Sequence, residues 1–519
     1  MKANIAKYGK NILTEGISGK PGEETIEHLT RQMAKGGAIA FGGSLIGKML
    51  GFGFSIMLGR VLGASGYGLY ALGMSITGIA QSIAPLGLNQ GVIRFCSIYK
   101  GKEDKTKVKG TFLSAIGISG AFSILVTFIL FFSSDRIASS FFNESSLSWI
   151  LKIFALSIPF SVITSIMASF TQSFKRIDYQ QGISILRQLF NIILVGIAFI
   201  IGFRLKGAVY GFLIAGMLAT IIALYFTYKI FPEILLTLRP NFNEFKGLLG
   251  FSLPMVFVSL LYFLMLKTDR IMLGIFRDVR DVGIYSAAAN ITLQLSIIHT
   301  ALVTIFMPII ADIYNRQAFS EVKKLYNSIK RWSSYGTACI ILPVIFYPKI
   351  FMSIYGNEFL DGCKVLILLS LVYIVGAITG PTGALLQMTG KQNIEFLNGF
   401  LIIISNILFN YFLIPIYGYL GAAVATLLAI SFLNVIQVLE IHRFFKFHPF
   451  DFVHIKFISI IVIVFIVSII INIFISLDLK LLFFLLIMSL FITYGYKNLN
   501  KEDKTLWKGI KRKFLSIVL

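Results

Sequence analysis

KTDRIMLGIFRDVRDVGIYSAAAN, residues Lys267–Asn290, decides the fold. The segment leaves one apolar run carrying Lys267, Asp269 and Arg270, turns through a charged link, and enters the next run at Gly283-Ile284-Tyr285. The same design occurs earlier, at Phe52–Ser75. A shift of 215 residues lays Ile56-Met57-Leu58-Gly59 on Ile271-Met272-Leu273-Gly274, and Gly68-Leu69-Tyr70-Ala71 on Gly283-Ile284-Tyr285-Ser286. A fixed long period inside a hydrophobic chain marks a duplicated membrane unit, the usual plan of secondary transporters. The two copies share an apolar frame and differ in charge: Phe52, Phe54 and Ser55 stand where the second copy has Lys267, Asp269 and Arg270. The second half therefore holds a charged cluster that the fold alone does not require.

Composition agrees with a membrane protein. The 519 residues are 56% hydrophobic and 14% charged, with a mean hydropathy of +0.82. A soluble chain of this length needs far more polar surface. The formal charge of +23 does not point to nucleic acid, because the basic residues lie between apolar spans, as in cytoplasmic loops beside anionic lipid. Cys96, Cys339 and Cys363 form no CxxC, so neither a disulfide framework nor a metal site is indicated, and no cofactor is expected. The polar first thirty-odd residues read as a cytosolic tail rather than a signal peptide.

At ~20 residues per helix, apolar spans fall at 36–58, 69–93, 110–132, 148–172, 182–203 and 207–229, then 248–270, 283–307, 331–352, 363–388, 394–415 and 418–441. Two more, 455–476 and 479–497, bring the total to fourteen. Gln172, Arg176 and Asn191 map onto Gln387, Lys391 and Asn406 at the same shift, and Gly207-Ala208 onto Gly421-Ala422 after a one-residue slip. The expected fold is all-α integral membrane: 14 transmembrane helices, with two six-helix parallel repeats as two lobes around a central cavity and two C-terminal helices outside the duplication. The division is a cytosolic tail (1–35), a first lobe (36–229), a second lobe (248–441), the last two spans (455–497) and a basic cytosolic tail (498–519). With both termini inside, cytoplasmic segments hold about 33 of the 47 basic residues and outer loops about 11. Glu23–Lys35 forms a short amphipathic helix for the inner membrane face. The tail around Trp507, Ile510 and Phe514 reads either as an interfacial helix or as a solvated end.

An ionisable group near mid-bilayer costs ~2.5–3.5 kcal/mol even on lenient scales, so such groups come first. Lys48, halfway along the first span, faces either a wet cavity or a distant interface. Lys267 and Arg270 share a helix face, for a cavity or for an outer interfacial anchor. Asp269 points elsewhere, toward a loop cation. Lys152 and Arg187 lie near helix ends and fit snorkelling. Gln81 and Asn89 in the second span, and Asn290 and Gln294 in the eighth, sit among small residues suited to helix packing or to a substrate path. His299 fits a packing histidine. Gly43, Gly47 and Gly51 make a doubled GxxxG for close packing or bending, and Pro381 between Gly380 and Gly383 marks a hinge. GGSLIGKM (Gly42–Met49) matches G-x-x-x-x-G-K only formally. Met49 stands where Mg²⁺ chemistry needs a hydroxyl, and no strand precedes it.

Taken together, LGRVLGASGYGLYALGMSI (Leu58–Ile76), GLNQGVIRF (Gly87–Phe95), DRIMLGIFRDVRDVGIYSAAANI (Asp269–Ile291), LLQMTGKQN (Leu385–Asn393) and FNYFLIPIYGYLGAAVATLL (Phe409–Leu428) resemble the polysaccharide flippases. These O-antigen-type translocases belong to the multidrug/oligosaccharidyl-lipid/polysaccharide exporter superfamily. The resemblance runs from about residue 34 to 445. It implies two helical lobes around a cationic lumen, alternating access, and no catalytic residue. The cargo would be a polyprenyl- or dolichyl-(pyro)phosphate bearing a short glycan, moved for cell-surface polysaccharide synthesis in the cytoplasmic membrane. Partners would be membrane lipids and glycan polymerase or glycosyltransferase machinery, with no nucleic acid. The lumen candidates are Lys48, Lys267, Arg270, Asp269, Asn290, Gln294, Gln81 and Asn89. A cation-coupled multidrug exporter would favour acidic and aromatic cavity groups. A lipid II flippase is closer still. A membrane glycan polymerase or glycosyltransferase needs catalytic acids and a sizeable loop, and neither is visible.

Overall fold

A computed structural model describes residues 23–234, 241 and 245–447, with isolated positions between 459 and 493; side chains are described from residue 39. The described residues form helices α1 (Glu23–Ile83), α2 (Leu88–Gly101), α3 (Lys105–Ser140), α4 (Ser146–Leu156), α5 (Ile158–Ser173), α6 (Ile177–Ile200), α7 (Arg204–Ile230) and α8 (Phe245–Phe276). They continue as α9 (Val279–Leu295), α10 (Ile297–Asn315), α11 (Phe319–Phe346), α12 (Pro348–Ser353), α13 (Cys363–Thr379), α14 (Thr382–Met388), α15 (Gln392–Tyr417) and α16 (Tyr419–Phe445). Every apolar span expected between residues 36 and 441 falls on helix. By length and composition, 10 helices among the described residues are able to cross a membrane. The first two spans merge into α1, and α11 drops out because Lys323, Lys324, Lys330 and Arg331 occupy its first turns. The two last expected spans and the C-terminal tail lie outside the described residues.

Several boundaries differ from the sequence reading, each for a local reason. The expected link between the first two spans shrinks to Gly63, whose φ of 69° and ψ of −178° break an otherwise continuous α1. A left-handed φ suits glycine, and a Cβ there would also lie 2.8 Å from Glu358 Oε2. That carboxylate accepts from the Ala64 amide at 2.8 Å, satisfying a donor left free by the new helix start. In the second half the equivalent residue, Asp278, does the same job itself, accepting from Asp281 N at 2.9 Å. The second expected span breaks again at Pro85 between α1 and α2, where Leu86 and Gly87 take positive φ. The interruption expected at Gly380–Pro381 is present as the break between α13 and α14.

The tightest crossing lies where α1 meets α9. A Cβ on Gly68 would fall 1.7 Å from Val279 O, and one on Gly283 would fall 2.0 Å from Ala64 O. Gly68 and Gly283 are equivalent at the 215-residue shift, as are Ala64 and Val279, so the contact is reciprocal. One apolar core surrounds it and draws on both halves, with Leu58, Tyr67, Leu72 and Phe154 packed beside Leu273, Ile284, Tyr355 and Phe359. At the opposite end the packing separates: Leu88, Cys96, Phe112 and Phe170 make one cluster, while Phe306, Ile310, Tyr326 and Leu385 make another. The start of α8 belongs to the first of these clusters through Leu248, and its Ser252 lies against Gly87 and Gly91 of the first half.

A side chain at the reciprocal crossing has no space to relax into, since its neighbours are backbone atoms. Gly68→Ala or Gly283→Ala is expected to cost at least the ~1–3 kcal/mol typical of overpacking. Gly216→Ala, which meets nothing within 4 Å, is the control. Thermal unfolding in detergent checks this: either crossing variant melting like Gly216→Ala contradicts it.

Candidate functional site

α8 carries the charged cluster into the protein interior. Arg270 is 7% exposed. Its Nε donates to Ser286 Oγ at 3.0 Å and one Nη to Asn290 Oδ1 at 3.3 Å. Among the described residues no carboxylate lies within salt-bridge distance of it, nor of Lys267 one turn earlier. Asn290 turns its amide nitrogen the other way, donating to Ser55 Oγ at 3.0 Å and Tyr67 OH at 2.6 Å. Ser55 also bonds Tyr67 OH at 2.7 Å and Tyr355 OH at 2.8 Å. The guanidinium is thus tied through neutral groups to α1 in the first half and to the α12–α13 link in the second.

Asp269 departs from the expectation of a loop cation. It accepts from Tyr285 OH, from Thr426 Oγ1 at 2.7 Å, from Asn406 Nδ2 at 3.0 Å and from Asn410 Nδ2 at 2.8 Å. Three helices, α9, α15 and α16, close around the carboxylate with neutral donors because its face of α8 looks into the second half. The first half uses the same frame differently. Phe54 and Tyr70, equivalent to Asp269 and Tyr285, pack edge to face at 6.3 Å, and Phe154 links Tyr70 to Phe212, the counterpart of Thr426.

Lys267, Asp269, Arg270 and Asn290 line one cavity of about 230 Å³, whose other walls are mostly apolar, including Leu266, Leu293, Leu369, Val372, Ile402 and Ile430. Lys48 opens instead on a second cavity of about 500 Å³ inside the first half, with Arg187, Ser161, Gln180 and Ser184. Arg187 therefore does not snorkel. It reaches Ser161 Oγ at 3.1 Å and lies over the Phe212 ring at 5.4 Å. Gln294, Gln81 and Asn89 line neither cavity. Gln294 bonds the Asn290 carbonyl at 3.4 Å, Asn89 meets Ser165 at 3.4 Å, and the Gln81 amide nitrogen is buried without a hydrogen-bond partner. Lys152 pairs with Asp135 at 2.7 Å, and His299 bonds Ser333 at 2.6 Å, a packing contact. Sequence reasoning missed Ser55, Tyr67 and Tyr355. Asn406 entered the sequence reading only as the repeat counterpart of Asn191, and the further signal for it and Asn410 was their four-residue spacing on an apolar helix.

The fold is shared with known membrane transporters. A structure of lipid II flippase MurJ in an inward closed conformation superposes with a TM-score of 0.71, covering 88% of this chain and 98% of that one at 16% identity. The chain is likewise 25% identical over 384 residues to a Shigella flexneri protein named for O-antigen transport, covering 71% of this chain and 88% of the other. It is 20% identical over 437 residues to stage V sporulation protein B of Bacillus subtilis strain 168, covering 79% and 83%. This is the transporter class, not an enzyme. The sequence pattern described as "Polysaccharide biosynthesis protein" matches residues 33–314, more than half of the chain. The chain belongs to that family.

Removing the Asp269 carboxylate leaves up to four buried donors unpaired, each worth about 1–3 kcal/mol. Asp269→Ala should therefore lose most of its folded, monodisperse protein, while Phe54→Leu at the equivalent position should not. Fluorescence-detected size-exclusion chromatography compares them, and equal recovery would contradict the carboxylate's structural role.

Proposed function

We propose that this protein is a flippase that moves a polyprenyl- or dolichyl-(pyro)phosphate-linked oligosaccharide from the cytoplasmic to the outer leaflet by alternating access. The observation that carries the reading is Arg270: a buried cation that hydrogen-bonds only neutral partners, beside Lys267, in a mostly apolar cavity whose one carboxylate, Asp269, is taken up by neutral donors. An uncompensated buried charge costs several kcal/mol, and an anion that enters removes that cost. A lipid phosphate fits both parts, its charge meeting the guanidinium fork and its chain staying with apolar side chains. The relatives named for O-antigen transport and lipid II flipping support the same chemistry.

In this reading the fourteen spans make two six-helix lobes, with the last two outside them, and both termini are cytoplasmic in the inner membrane. The basic loops gather anionic headgroups at the inner face. The Gly68–Gly283 crossing seals the outer end, and headgroup engagement by Arg270 releases Asn290 from Ser55 and Tyr67, loosening that seal. The released glycan would pass to polymerase or glycosyltransferase machinery. Asp269 is the one carboxylate lining either cavity among the described residues, and four neutral donors already cover it, which disfavours a cationic-drug exporter.

Export decides the matter. In a strain dependent on this protein for surface glycan, Arg270→Gln at equal membrane levels should cut surface glycan by about 10–100-fold, from the ~1.5–3 kcal/mol of a charged hydrogen bond. Lys267→Gln should cut it less. Undiminished export by Arg270→Gln would contradict the assignment.

A further inference from the structure

The larger cavity, in the first half, is chemically unlike the one around Arg270. Its walls are hydroxyls and amides, among them Ser161, Ser165, Gln180 and Ser184, with two cations, Lys48 and Arg187, and no carboxylate. No salt bridge occupies Lys48 or Arg187 among the described residues. Its volume of about 500 Å³ falls within the range of small-molecule sites, roughly 300–1,000 Å³.

The glycine stripe of α1 belongs to this wall. Close helix packing predicts that a Cβ on Gly47 would meet a neighbouring helix; it would meet nothing within 4 Å, and Gly47 lines the cavity. Gly43 meets only the side chain of Gln181, another lining residue, at 2.8 Å. Gly43 is thus a close approach to α6, whereas Gly47, one turn on, makes room in the cavity.

We infer that the Lys48–Arg187 cavity is a separate binding site for an acidic sugar unit, such as a hexuronate. This rests on the flippase reading and assigns the glycan end of the cargo to the first half, apart from the lipid phosphate at Arg270. Serine hydroxyls and glutamine amides suit sugar hydroxyls, donating and accepting at once. A guanidinium and an ammonium without a protein counter-charge suit a sugar carboxylate. In the second-half cavity the residue equivalent to Arg187 is Ile402, which offers a sugar ring nothing to bond.

The test uses full-length protein in nanodiscs of uncharged lipid, titrated calorimetrically with trigalacturonate, neutral galactotriose or undecaprenyl phosphate. Wild type should bind trigalacturonate at least tenfold more tightly than galactotriose. The double variant Lys48→Gln/Arg187→Gln should lose that preference and keep undecaprenyl phosphate affinity within twofold; Arg270→Gln should do the reverse. Gly47→Leu, which fills open space without changing charge, should abolish trigalacturonate binding alone. Equal binding of the two oligosaccharides by wild type, or loss of undecaprenyl phosphate rather than trigalacturonate in the double variant, overturns the proposal. Trigalacturonate binding that depends on Lys48 and Arg187, without any undecaprenyl phosphate binding, supports this site and sinks the lipid-phosphate reading instead.

Discussion

A guanidinium buried without a carboxylate is the constraint that organises this molecule. Arg270 donates only two hydrogen bonds, both to neutral partners, Ser286 and Asn290. Hydrogen bonds of that kind are worth far less than the desolvation of a cation. The surrounding structure must hold the charge in place, and it does so by tying Asn290 to Ser55 and Tyr67, with Tyr355 closing the group from the far side. These residues come from both halves of the chain, so the cation and the contact between the halves depend on one another.

That mutual dependence needs a rigid frame, which the reciprocal glycine crossing supplies. Gly68 and Gly283 let backbone meet backbone, and the shared apolar core fixes the angle. Within this frame, equivalent positions hold different chemistry. Phe54 and Tyr70 meet edge to face where Asp269 accepts from Tyr285. Packing alone supports either version. The shared frame therefore does not by itself require the charged cluster, although Asp269, once present, is held by four donors of the second half. The two cavities divide the same way, one with apolar walls and a cationic end, the other lined with hydroxyls and amides.

Much of the fold was legible because lipid enforces it: a run of apolar residues long enough to span has few alternatives to helix. The 215-residue repeat pointed directly to the Gly68 and Gly283 positions, which do meet. The site was less legible. Lys267, Arg270 and Asn290 stood out by type and do share a cavity, but Lys48 lies in a different one. Arg187 looked able to reach an interface along its helix, and only the packing of α5 and α7 around it turns it inward, toward Ser161 and Phe212. Asp269 lies next in sequence to a cation yet is covered by Tyr285, Asn406, Asn410 and Thr426, partners drawn from up to 157 residues away. Gly47 read as a packing glycine because spacing records that a side chain is missing, not what fills the space.

The central claim is that Arg270 waits for an anion from outside the protein. An experimental structure of the protein with a bound polyprenyl phosphate tests it most directly. The account predicts a phosphate oxygen at ~2.7–2.9 Å from the Arg270 guanidinium, with the chain leaving along the apolar wall of Leu369, Val372 and Ile402. A phosphate bound elsewhere, with Arg270 still held by Ser286 and Asn290 alone or paired with a carboxylate of this chain, would contradict it.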